Sequence, residues 1–279
     1  MIRISGLSFR YRGGSEEALK EIDLTVRRGD FLGIIGSSGA GKTTLLHAIN
    51  GIVPHHFRGE FYGSVEVDGS DTVENRPEDL ARKVGSVRQD FESQMVSSVV
   101  EDEILFGLEN FSVPRDDIEH RIADALDKTG IANLRERNIA TLSGGQKQKV
   151  AIAAIIALMP EILILDEPTG ELDPKSSRQI FRLLKELNEK HGITVVVVEQ
   201  KIMLLCEFAD SLAVMDRGRI ILEGPVREVL KSSREMESAG VNCPRVVTLA
   251  DRLREERLYD GPAPVSISEA EAMVRSITG

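Results

Sequence analysis

Several things are scarce in this 279-residue chain, and each scarcity closes off a class of function. Long apolar runs are missing: Thr194 to Val198, Ile162 to Leu165 and even Val150 to Met159 fall far short of the ~20 residues a membrane-spanning helix needs. No bilayer-crossing segment is expected. The start, Met1-Ile2-Arg3-Ile4-Ser5, alternates polar with apolar and lacks the basic start, apolar stretch and cleavage site of a secretory signal, so it reads as a first strand. Cysteine is down to two, Cys206 and Cys243, far apart in sequence and without metal-like neighbours. A disulfide framework or zinc site has no support there. Positive charge is in deficit, 35 Lys and Arg against 45 Asp and Glu, and the net charge of −10 disfavours a nucleic-acid partner held through its phosphates. Internal repeats and low-complexity tracts are absent as well.

What is present is ordinary globular material, 41% hydrophobic and 29% charged, enough for one large domain or two modest ones. Short β-branched segments dominate the first third: Ile2 to Phe9, Ile22 to Val26, Phe31 to Ile35, Val65 to Val67 and Val84 to Val87. From about Ser97 to Met159 the periodicity turns helical and acid-rich, as expected of a helical insert. Alternation then resumes with the strand Ile162 to Leu165, a helix after Pro174 with Ile180, Leu183, Leu184 and Leu187 on one face, and the strand Thr194 to Val198. Arg217-Gly218 marks a hairpin turn between Ser211 to Met215 and Arg219 to Leu222. Beyond about Ser232 the pattern weakens into a charged tail read as a small appendage.

The strand Phe31 to Ile35 runs into Gly36-Ser37-Ser38-Gly39-Ala40-Gly41-Lys42-Thr43-Thr44 and then the helix-like Leu45-Leu46-His47-Ala48-Ile49. Strand, loop and helix in this order are the context a P-loop requires. The glycines let successive backbone N–H groups turn in on phosphate oxygens, and the helix start aims its donors at the same charge. Lys42 would reach the β- and γ-phosphates, and the Thr43 hydroxyl would ligate Mg²⁺. The chain is therefore expected to bind a nucleoside triphosphate. Ile162 to Leu165 ends in Asp166-Glu167, which places two carboxylates at the ligand edge of a parallel sheet. Asp166 would hold Mg²⁺ through its water shell, and Glu167 would polarise an attacking water.

Between these elements stands Leu142-Ser143-Gly144-Gly145-Gln146-Lys147-Gln148, leading into an apolar helix. This string resembles the signature of ATP-binding cassette (ABC) ATPases, and the resemblance runs from about Ile2 to Leu230 with the motifs in family order. Physically, Ser143 and the glycines are expected to leave unpaired N–H donors at a helix start, a second phosphate-binding end. The resemblance implies that Ser143, Gly144, Gly145 and Gln146 serve the ATP of a second cassette, in a head-to-tail dimer with two sandwiched nucleotides. It also implies an α/β fold: a P-loop NTPase core with an N-terminal antiparallel β-subdomain, a helical signature subdomain and a short C-terminal extension. The ATPase domain would cover 1–232, with its helical part about 91–159, and the extension 233–279.

Further roles follow from the resemblance alone. Tyr11 matches the aromatic residue that stacks on adenine, and Gln89 the glutamine that contacts Mg²⁺ and the attacking water. Asp173, in Glu171-Leu172-Asp173-Pro174, matches the loop that crosses the dimer interface; taken alone it would start a helix. Two residues depart from the pattern. At Gln200 most active relatives carry a histidine that contacts the γ-phosphate; Gln can donate one hydrogen bond there but cannot become cationic. Glu171 replaces a usually small residue and adds negative charge near the interface.

The stretch from Gln89 to Gly107 resembles the energy-coupling factor group, including cobalt-type importers, in which this region docks on a membrane component. The tail Ala239-Gly240-Val241-Asn242-Cys243-Pro244, with the helical stretch Val246 to Leu253, is similar to the extension of that group. That resemblance implies an Mg²⁺-dependent ATPase on the cytoplasmic face of the cell membrane, powering uptake of a vitamin, vitamin precursor or transition metal ion through separate membrane chains. His55-His56 is read as a loop before the β-subdomain and not as a metal site, since adjacent histidines rarely share one ion. Two other readings stay open: an ATP-gated dimerising switch with weak hydrolysis, and a solitary ABC protein outside transport.

Overall fold

The computed structural model describes residues 1–278; Gly279, the last residue of the expected extension, lies outside the described residues. In chain order, β1 (Ile2–Tyr11) and β2 (Leu19–Val26) pair antiparallel, and β3 (Phe31–Gly36) feeds α1 (Lys42–Ile49). Through α2 (Ile52–His55) the chain reaches β4 (Gly59–Val67) and β5 (Ser70–Asp71), completing an antiparallel sheet of order β2-β1-β4-β5. After α3 (Pro77–Leu80) and β6 (Val84–Val87) come the helices α4 (Val100–Asn110), α5 (Arg115–Lys128) and α6 (Gly144–Ile156). Then β7 (Ile162–Asp166), α7 (Pro174–His191), β8 (Thr194–Val198), α8 (Ile202–Phe208), β9 (Ser211–Asp216) and β10 (Arg219–Pro225) follow. The second sheet has the order β10-β9-β3-β8-β7-β6, all parallel except the edge strand β10.

The two sheets follow their sequences. β8 is buried at every position and β7 at its first four, as parallel strands covered on both faces must be. In β1 the buried residues are Ile2 and Ile4, then Leu7 and Phe9; the slip from even to odd positions falls where the pairing with both neighbours shifts register, around Gly6. Helix α7 buries Ile180, Leu183, Leu184 and Leu187 as expected, begins on Asp173 and stops at Gly192, whose φ of 68° closes the last turn. His55 lies at the end of α2, where its Nε2 is 3.0 Å from the Thr72 carbonyl, and the described residues hold no cluster of three or more metal-ligating side chains.

Two cores flank the parallel sheet. One joins α1 and one face of that sheet to the antiparallel sheet; the other joins the opposite face to α4–α8. After β10 comes α9 (Val226–Val229). Beyond about Ser232, where a weakly patterned appendage with the helical stretch Val246 to Leu253 is expected, the chain forms α10 (Ser233–Ser238), α11 (Arg245–Glu255) and α12 (Ile267–Thr278). Met236, Val241 and Val247 are buried in the second core, so this segment packs as part of the same body as the parallel sheet. Cys206 and Cys243 are both free, and burial pushes each thiol up to about 12. Among the described residues no helix is long and apolar enough to cross a membrane.

Candidate active site

Four loops meet where the parallel strands end. In the order β3-β8-β7-β6 they carry the P-loop, Gln200, Asp166-Glu167 and Gln89, so residues more than a hundred positions apart share one edge of the sheet. The P-loop needs its glycines for space as well as conformation. Gly41 stands at φ 100°, and a Cβ there would come 2.5 Å from the Ala18 carbonyl oxygen. Lys42 is mostly buried and its ammonium donates to the carbonyls of Gly36 and Ser37, 2.9 Å each, closing the loop around its own charge. Burial lowers its pKa, while Glu167 and Asp166 act in the opposite sense.

At the first turn of α1 the Thr43 hydroxyl donates to Asp166 Oδ2 at 2.8 Å. Both line a cavity of about 460 Å³ together with Gln89 and Glu171. Burial raises the Asp166 pKa, opposed by the hydrogen bond from Thr43. Hydroxyl, carboxylate and amide oxygens form a hard, oxygen-only donor set, which fits Mg²⁺ shared with phosphates. Glu167 takes a left-handed backbone conformation, φ 47°, rare for a residue with a side chain. Its amide donates to the Val198 carbonyl (2.9 Å), its carbonyl accepts from Gly170 N (3.1 Å), and its Oε1 accepts from Gln200 Nε2 at 2.8 Å. Glu167, Gln200, Gln89 and Glu171 line one cavity of about 300 Å³.

Tyr11 stands at the end of β1, its hydroxyl 3.0 Å from Thr44 Oγ1 and its ring edge-on to Phe9 and Phe57. Ser37, Ser38, Gly39 and Ala40 complete the loop between β3 and α1. The signature lies apart from this edge: Ser143, Gly145 and Gln146 line another cavity, of about 260 Å³, with Ser176 and Gln179. Here the expectation of free donors needs correction. Ser143 and Gln146 form a reciprocal capping box, with Gln146 N donating to Ser143 Oγ (3.3 Å) and Ser143 N to Gln146 Oε1 (3.0 Å). Two of the donors are thus already engaged. Asp173 is the N-cap of α7, accepting from Lys175 N, Ser176 N and Ser176 Oγ, and the Ser176 hydrogen bonds hold its carboxyl below the usual range.

Two features escaped sequence reasoning. Glu199 is buried, its Oε2 accepting from Thr169 Oγ1 (2.5 Å) and its Oε1 from the amides of Gln200 and Lys201, so it fixes the turn that presents Gln200. An acid closing a run of four valines was the available signal. The second is the turn at Gly240: a Cβ there would lie 3.5 Å from that of Ser37, so the C-terminal segment rests on the P-loop. Nothing in either string announces that contact.

Residues 19–170 match the family described as ABC transporter. A Pyrococcus horikoshii protein, whose name describes an ABC transporter ATP-binding protein, is 40% identical over 93% of this chain and 92% of its own length. Other relatives are longer: the chain spans 44% of a Methanosarcina mazei protein that is 40% identical over 91% of this chain. Among solved structures, cbiO1 from Clostridium perfringens, part of the ABC transporter complex cbiONQ, superposes with a TM-score of 0.77 at 33% identity, covering 90% of this chain and 98% of its own. A dimeric, post-hydrolysis cassette, MJ0796 bound to ADP and Pi, gives a TM-score of 0.70 at 29% identity over 81% of this chain and 99% of its own.

Proposed function

The chain belongs to the ABC transporter family as an ATP-hydrolysing, ATP-binding subunit, and from that premise we propose that it powers an importer whose membrane-spanning component is a separate chain. The observation that carries this reading is the extent of the likeness to cbiO1, a part of a multi-chain transporter, over 90% of this chain. The cargo we assign is that of the energy-coupling factor group: a vitamin, vitamin precursor or transition metal ion. The subunit would sit on the cytoplasmic face of the membrane.

In this reading the P-loop from Gly36 to Thr44 cradles the phosphates, Lys42 neutralises them, and Tyr11 turns from Thr44 to stack on adenine. Thr43, Asp166 and Gln89 would hold Mg²⁺, directly or through water, and the ion supplies charge neutralisation on the β- and γ-phosphates. Glu167 takes the proton of the attacking water, and Gln200 holds its carboxylate in line. Ser143 and Gly144 to Gln146 would cover the nucleotide of a second cassette arranged head to tail, with Asp173 at the interface. ATP closes that pair and hydrolysis reopens it, so the difference in affinity between the two states performs the work.

The test is Mg²⁺-ATP hydrolysis by the purified chain, alone and captured from detergent-solubilised membranes, with Glu167→Gln as control. Hydrolysis about 10²-fold above the control is expected, with an integral membrane chain in the captured material. Capture without a membrane chain, together with hydrolysis indifferent to protein concentration, contradicts the importer reading. Gln200 favours a second reading, an ATP-gated switch, because its neutral amide already binds the carboxylate it would assist. Closure on ATP with hydrolysis no faster than Glu167→Gln selects the switch.

A further inference from the structure

Lys201 follows Gln200 directly and lines the same cavity as Glu167 and Gln200, yet its ammonium is spent on acceptors of the protein itself. It donates to the Thr169 carbonyl (2.5 Å), the Leu172 carbonyl (3.0 Å) and Ser177 Oγ (3.0 Å). An ammonium has three donors, and all three are used. The acceptors are not scattered: Thr169 and Leu172 are the two ends of one turn, closed by Leu172 N donating to the Thr169 carbonyl at 3.1 Å, and Ser177 Oγ also donates to the Leu172 carbonyl. Glu199 secures the same turn from the other side by accepting from Thr169 Oγ1. Of the three consecutive residues after β8, Glu199 therefore binds Thr169, Gln200 binds Glu167, and Lys201 binds both Thr169 and Leu172.

What lies beyond the turn gives the grip its meaning. A Cβ on Gly144 would come 3.2 Å from Leu172 Cδ2, and one on Gly145 would come 3.2 Å from Ser176 Cβ and Oγ. Leu172 and Ser176 thus form the floor under the start of the signature helix. A continuous path runs from Gln200 and Glu167, through the turn clamped by Lys201, to Gly144 and Gly145 at the opposite half-site. Charge-assisted hydrogen bonds to backbone carbonyls are directional and stronger than neutral ones, which suits a strut better than an apolar contact would.

We propose that Lys201 is a positioning residue that holds the 169–172 turn against the signature helix, so that the hydrolytic end of one half-site and the donor face of the other move as one body. This rests on the reading of Glu167 and Gln200 as the hydrolytic pair. The ammonium donates to the two carbonyls of the turn and to Ser177 Oγ, so it acts through the turn. Its removal leaves the P-loop as it was and loosens the connection, so binding and turnover separate.

The test compares Lys201→Met, which keeps the stem and removes every donor, with Lys201→Arg, which keeps charge and donors. For Lys201→Met the Kd for Mg²⁺-ATP is expected to stay within about two-fold of wild type while kcat falls about ten-fold. In a Glu167→Gln background the ATP-dependent dimer weakens about ten-fold by sedimentation, and amide exchange across 168–173 accelerates in the nucleotide-free chain. Lys201→Arg recovers at least about half of kcat. Should Lys201→Met not fold, Lys201→Gln, which retains one amide donor, is measured with an intermediate loss expected. Unchanged exchange across 168–173, or kcat and dimerisation both within about two-fold of wild type in Lys201→Met, overturns the proposal. So does a parallel fall of ATP affinity and kcat that Lys201→Arg leaves uncorrected. If wild type hydrolyses no faster than Glu167→Gln, the hydrolytic reading fails by itself, and exchange and dimerisation still judge the clamp.

Discussion

Around the P-loop, strands buried on both faces bring Lys42, Asp166 and Glu167 to one edge; around the signature, Ser143 and Gly144 stand exposed at a helix start, with side chains that have no acid-base chemistry. The first region carries formal charges and a strained residue, Glu167, held in place by three hydrogen bonds. The second carries backbone donors and a capping box. In the function proposed above, each would be half of a phosphoryl-transfer site: one side would supply charge, base and metal ligands, and the other would close over the phosphates. The supporting structures differ in kind as well. Beneath the P-loop the support is apolar strand packing, whereas the helical region is additionally laced by ion pairs. Arg135 engages both Glu101 of α4 and Glu119 of α5, and Lys147 of α6 reaches Glu92 just beyond Gln89.

Removing charge from the P-loop side should break its half of this comparison most sharply. Lys42→Ala is expected to weaken ATP binding by about 10- to 100-fold, the worth of one or more hydrogen bonds to a charged group, while the melting temperature changes little. Equilibrium titration with Mg²⁺-ATP, beside thermal unfolding, checks both halves of that statement. A much smaller effect is expected on the helical side. Glu101→Gln should cost about 0.5–1 kcal/mol at neutral pH, given that the pair with Arg135 is partly exposed. Arg135 holds the Glu101 carboxyl below its ordinary range, so the stabilisation is fully present above the usual carboxylate value and is lost as pH falls through the depressed one. The stability difference between variant and wild type should therefore shrink on acidification; a difference that persists at low pH would mean that packing, not charge, is what the substitution removed.

How much of this could be read from the string depends on how far apart the interacting residues are. The P-loop and the strand ending in Asp166-Glu167 were legible because spacing, glycines and apolar runs are local, and the fold places Thr43 on Asp166 and Gln200 on Glu167. The α/β class and the hairpin at Arg217-Gly218 were legible for the same reason. Long-range contacts were not. Glu199 is invisible as a buried acid until Thr169 is seen beside it, and the Gly240 turn gives no sign of meeting Ser37. The tail beyond Ser232 looked weak because its helices are short and bury only a few residues each, Met236 and Val247 among them, so no periodic stripe develops. At the signature the local reading overshot: Ser143 and the glycines suggested open donors, but Gln146 folds back to pair with Ser143.

In the proposed dimer the charged half-site of one chain is completed by the signature of another. The most direct measurement mixes two inactive variants, Lys42→Ala and Ser143→Arg, and assays Mg²⁺-ATP hydrolysis. If the half-sites come from different chains, random pairing leaves half the dimers with one intact composite site, and activity should return to about a quarter of wild type. A mixture no more active than its two parents would contradict the sharing of sites between two copies of this chain.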